Sequence, residues 1–152
     1  MAYTTADGRQ QLLDALAEVV DEIGFALAEL GAAYEQLDHG TADKLEEQLF
    51  GPVQKAYGRA KRTHAAFAER AGLGGATFEA QPAGLPSTGA KGFIDNAANA
   101  IGSADGALAT LQDSPTMLEV GDAELRRGLV ELRQTIGQFS HDARELTRRL
   151  GR

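Results

Sequence analysis

Apolar residues return in alternating steps of four and three through most of this chain, and that spacing permits few folds. In the first segment Leu12, Leu16, Val19, Ile23, Ala26, Leu30, Ala33 and Leu37 keep the step, which stacks one side chain per turn on a single helical face. Leu13, Val20, Leu27 and Tyr34 add a second row at intervals of seven. Two adjacent rows are too broad for a two-stranded coiled-coil seam and suit a globular bundle. The second segment repeats the step through Leu45, Leu49, Val53, Ala56, Ala60, Thr63 and Phe67, flanked by Phe50, Tyr57 and His64. A thinner third seam runs through Ile94, Ala97, Ile101, Ala104, Leu108 and Leu111. The fourth, from Leu125 through Leu129, Leu132, Ile136, Phe139, Ala143 and Leu146 to Leu150, is the most regular.

Turn chemistry separates these segments. Gly40 is positioned to cap the first helix in the left-handed conformation, and Thr41 to N-cap the second. Gly72 follows the second helix, Ser114-Pro115 the third, and Asp122 can N-cap the fourth. The spacing predicts helices over about 5–38, 42–71, 87–113 and 122–150. Pro52 lacks an amide donor and its ring opposes the Gln48 carbonyl, so a kink is expected at Gly51-Pro52, or else two shorter helices meeting there. Residues 72–87 hold four glycines and two prolines, which forbid regular structure. The expected fold is all-α, a single domain forming an antiparallel up-down-up-down four-helix bundle. A crossover between the second and third helices is the alternative, because the long loop could just span a helix length.

Several chemistries are excluded or disfavoured. The chain has no cysteine and no tryptophan, so disulfides, thiolate-bound metals and thiol nucleophiles are impossible. A formal net charge of −7 argues against nucleic acid as a partner. No secretory signal is evident near Met1, and no apolar run is long enough to span a membrane, which makes the cytoplasm the expected compartment. A di-iron bundle needs Glu-x-x-His pairs, and none occurs. Haem held between His64 and His141 is disfavoured because His141, two positions beyond Phe139, turns away from the seam. No nucleophile elbow, Ser-x-x-Lys pair or phosphate loop is present. The chain is therefore expected to be non-enzymatic, with no cofactor and no metal.

Two departures from an ordinary bundle point to function. Small residues, Ala56, Ala60, Ala97 and Ala104, fall on two seams near mid-height. They either let helices approach closely or leave a cavity for an apolar or amphipathic molecule resembling a fatty acid or isoprenoid. In the cavity reading Ile23, Leu27, Val53, Ile101, Ile136 and Phe139 line the space and Tyr57 and His64 meet the polar end. Arg59 and Arg62 would then attract an anionic head group, with the glycine- and proline-rich loop as a lid. The second departure is glycine inside helices. Gly24, Phe25, Ala28 and Gly31 make a small-residue outer surface on the first helix, suited to a homodimer contact. The rival expectation is thus a structural or protein-interaction bundle with a filled core. A metal-dependent enzyme is the third.

Overall fold

A computed structural model describes residues 4–150 of the chain, and among them every regular element is helical. α1 (Thr5–Glu35) opens on a reciprocal cap: the Thr4 hydroxyl accepts from the Asp7 N–H at 3.1 Å, and the Asp7 carboxylate accepts from the Thr4 N–H at 3.1 Å. It ends before Gly40, which does not take the left-handed cap expected of it. Asp38 instead starts α2 (His39–Leu45) by accepting from the Thr41 N–H at 2.9 Å. Asp38 is thereby held below the usual carboxylate range by its hydrogen bonds to Thr41.

The Pro52 conflict is resolved by a wide turn. Proline offers no N–H to the carbonyl four residues back, and Glu46–Phe50 form a π-turn in which the Gly51 N–H reaches the Glu46 carbonyl. Both ends of the turn keep right-handed helical dihedrals, so α3 (Gly51–Ala71) follows α2 and the π-turn without a break in the helical backbone. Gly72, at φ 69 and ψ 27, supplies the left-handed cap. After an irregular strap and a single 3₁₀ turn (Pro86–Thr88) come α4 (Gly89–Gln112) and α5 (Pro115–Val120). The fourth expected helix is divided into α6 (Ala123–Ile136) and α7 (Phe139–Leu150). Asp122 caps α6 through the Leu125 N–H at 2.8 Å, as its position predicts. The Ser114 cap and Pro115 at the first helical position explain α5, which hydrophobic periodicity alone does not reveal.

Contacts between elements give the directions. Gly24 of α1 meets Tyr57 of α3, while His64 lies by Leu13, so α1 and α3 are antiparallel. Glu29 binds Asn96 and Gln36 binds the Pro86 carbonyl, so α4 also runs against α1. α6 runs against α3, pairing Arg59 with Glu131, Thr63 with Gly128 and Arg70 with Asp122. α3 and α4 consequently run the same way. The order is up-down-down-up, and the connection between α3 and α4 is the crossover rather than the short return of an up-down-up-down bundle. An α4 of this length spans about 36 Å, and thirteen extended residues (73–85) reach about 43 Å, enough to cross it.

One continuous apolar core runs through all the long helices, with Met117 of α5 fully buried in it. Guanidinium clamps fasten the edges. Arg70 grips Asp122 at 2.7 and 3.0 Å and Glu124 at 3.0 Å, drawing Asp122 below its usual range. Arg133 grips Asp105 at 2.9 and 3.3 Å and donates to Gln112 at 3.0 Å. No helix among the described residues is long and apolar enough to cross a membrane.

The helical glycines differ in what surrounds them. A Cβ on Gly102 or Gly106 would meet nothing within 4 Å, whereas one on Gly128 would stand 2.9 Å from Thr63 Cγ2. Gly102→Ala and Gly106→Ala are each expected to stabilise the protein by about 0.5–1 kcal/mol, as removal of backbone entropy in an exposed helix does. Gly128→Ala is expected to destabilise it, and denaturant titration of the three variants measures both signs.

Candidate functional site

The mid-height alanines are packed, not spaced. Ala56, Ala60, Ala97 and Ala104 each have 0% of their surface exposed, so no water-sized gap adjoins them and the short side chains bring the helices into contact. Ile23, Val53, Ile101, Ile136 and Phe139 are buried in the same core, none more than 4% exposed. Leu27 and Tyr57 lie partly buried at its margin. The residues expected to line a cavity are therefore brought together as a filled interior in this conformation.

The expected polar end is split between two faces of α3. Arg59 reaches across to α6, donating to Thr135 Oγ1 at 3.3 Å and standing 4.0 Å from Glu131. Arg62 is exposed beside the same α3–α6 cleft, with Arg70 and Arg127. Tyr57 and His64 instead face α1. Tyr57 fills the space left by Gly24, with Cε1 3.1 Å from where a Cβ would be, and Lys61 Nζ sits 4.4 Å above its ring. Burial, aided by Asp21, pushes the Tyr57 hydroxyl above its ordinary range. His64 is 3% exposed and its Nδ1 has no hydrogen-bond partner. Burial pulls the imidazole below its ordinary range, against the opposing pull of the Leu13 backbone and the Asp14 carboxylate. His141 is exposed.

The strap crosses this α1–α3 face. Phe78 packs edge-on to His64, with ring centroids 5.2 Å apart and planes at 89°. Gln81 lies over Gly24, and Gly84 donates its N–H to Glu29 at 3.2 Å. Glu29 is only 1% exposed, and its other oxygen accepts from Asn96 at 3.0 Å. A fully buried carboxylate was not expected there. Its signal is positional, since Glu29 falls three residues after Ala26 and next to Leu30, inside the buried face.

The rest of the small-residue surface of α1 meets three different fates. Gly24 is covered by the chain's own strap. Phe25 is partly buried beside a shallow cleft shared with Glu22, Asn96 and Asn99, and Ala28 is partly exposed. Gly31 alone opens on a groove, of about 330 Å³, whose other walls are Tyr34, Glu35, Glu46 and Phe50. A Cβ at Gly31 would meet nothing within 4 Å. Glu46 and Phe50, the first and last residues of the π-turn, form the wall opposite α1, a pairing that regular helical spacing does not reveal. Among the described residues no group of three or more His, Asp or Glu side chains is arranged to hold a metal ion.

Close packing at the alanine layer has a measurable consequence. Ala60→Leu and Ala97→Leu are each expected to destabilise the protein by about 1–3 kcal/mol, the range for overpacking a filled core. A hollow at the same level would make them neutral or stabilising, so equilibrium unfolding separates the two cases. No protein-family model, curated protein or solved structure matches this chain, and its function is read from its own chemistry.

Proposed function

We propose that this protein is a non-enzymatic interaction module. In this reading it is a filled helical bundle whose groove beside Gly31 receives a basic, partly apolar segment of another protein. The observation that carries the reading is the groove itself. Tyr34 and Phe50 offer ring surface, Glu35 and Glu46 offer negative charge, and the missing side chain of Gly31 leaves the floor open. Aromatic faces beside carboxylates attract lysine and arginine side chains by cation–π and ionic attraction together. A net charge of −7 favours a basic partner over a second copy, since like copies repel.

The self-association expected through Gly24, Phe25, Ala28 and Gly31 is less favoured than the groove, because the strap already lies over Gly24. The carrier reading would require the alanine layer to open. Three measurements distinguish these readings. A fluorescent peptide of alternating arginine and leucine is expected to bind with salt-sensitive affinity, while its glutamate–leucine counterpart does not. Gly31→Leu, which fills the groove without touching the core, is expected to weaken that binding at least about tenfold, or about 1.4 kcal/mol. Unchanged binding in Gly31→Leu would refute the groove. A concentration-dependent dimer abolished by Phe25→Asp would restore the self-association reading, and a lipid-like molecule co-purifying in native mass spectrometry would restore the carrier.

A further inference from the structure

The strap is fastened near its two ends by buried titratable side chains, Glu29 of α1 and His64 of α3. At one end Glu29 accepts the Gly84 N–H from inside the core. At the other, the Phe78 ring closes over His64. Gln81 lies between them on Gly24, and most other strap residues are exposed. Few contacts therefore hold the Phe78 end, and the central one is an imidazole.

That imidazole can be buried only in its neutral form without penalty. One nitrogen can bond the Leu13 backbone, but Nδ1 has no partner. A protonated ring carries two N–H donors and a charge, so one donor would be left unsatisfied in apolar surroundings. The neighbouring charges do not repair this. Asp14 of α1 attracts the cation but is exposed and already accepts from Gln10 at 2.9 Å. Lys61, one turn earlier on α3, is a like charge held over Tyr57. Glu79, beside Phe78 on the strap, is exposed. The opposite face of α3 carries Arg59 and Thr63 towards α6 and presents no acceptor to the ring.

We propose that the strap is a proton-released clasp: protonation of His64 displaces Phe78, admits water, and frees residues 74–82 while Glu29 retains the other end. Removal of the Phe78 end uncovers His64 and Gly24, converting a covered face of α1 and α3 into an accessible one. The sign follows from linkage. With the strap released, the imidazole binds its proton near the ordinary value of 6.5; with the strap docked it binds it only at lower pH. Docking is therefore complete above pH 6.5 and weakens as the pH falls through that value. The inference stands on the strap contacts and does not depend on the Gly31 groove.

The chain contains no tryptophan, so Phe78→Trp places a single fluorescent reporter on the clasp. Between pH 7.5 and about 5, emission should shift to the red and acrylamide quenching should increase, with a midpoint below 6.5 and unchanged far-ultraviolet circular dichroism. The same reporter in a His64→Leu background should show neither change. Emission and quenching that stay flat with pH, or that change equally without His64, would overturn the proposal. Proton NMR of the unsubstituted protein gives an independent reading: the His64 imidazole must titrate below the ordinary histidine value, together with shifts in the Phe78 ring signals. Titration of His64 at the ordinary histidine value, with an unmoved Phe78, would equally overturn it.

Discussion

α1 buries one broad apolar face against α3 and α4 together, and both of those helices run against it. Everything distinctive in the fold follows from that arrangement. Two helices antiparallel to the same neighbour are parallel to each other, so the chain between them has to return along the full height of the bundle. The returning segment lies on the outer side of α1, because its inner side is already occupied. That is why Gly24 is covered by Gln81 and why Glu29, on a helix otherwise acidic towards solvent, is enclosed with Gly84 and Asn96 as its partners.

The alanine layer illustrates how far side-chain spacing reaches. The four-and-three step assigns Ala56, Ala60, Ala97 and Ala104 to the interior, and all four are buried. The same step cannot say how far apart the helix axes lie. That distance depends on which neighbours face one another, and so on topology, which in this chain turns on one long connection. Its length allows a crossover and its glycines and prolines forbid a helix, but neither property decides between a return and a crossing. Local capping is more legible. Asp122, Gly72 and Ser114 act through atoms within a few residues, and their chemistry predicts what they do.

Gly40 and Pro52 show one pattern. Gly40 was a plausible helix terminator, yet Asp38 two residues earlier offers a side-chain acceptor, and a new helix begins through Gly40 instead. Pro52 was expected to bend its helix. The missing donor is accommodated by one wide turn that displaces Glu46 and Phe50 from regular spacing and sets them opposite Tyr34. In both cases a local defect is absorbed by a neighbour whose contribution is invisible to hydrophobic periodicity. The groove that sets Tyr34 and Phe50 beside Glu35 and Glu46 takes one of its walls from such an absorption.

The expected head-group cluster fails for a geometric reason. Tyr57, Arg59, His64 and Arg62 are close in sequence, but two residues turn a helix by about 200°. Tyr57 and His64, seven apart, share the face towards α1. Arg59 is two positions from Tyr57 and points across to Thr135 and Glu131 on α6. Proximity along a helix is thus a poor guide to a shared site unless the interval is three, four or seven. The same rule makes the strap informative: Phe78 and Gln81 stand over His64 and Gly24, which belong to different helices but to one face of the molecule. The chemistry of that face is set by what the strap excludes. Water is kept from an imidazole whose charged form is disfavoured there, and Phe78, the ring packed against it, provides no acceptor that would favour it.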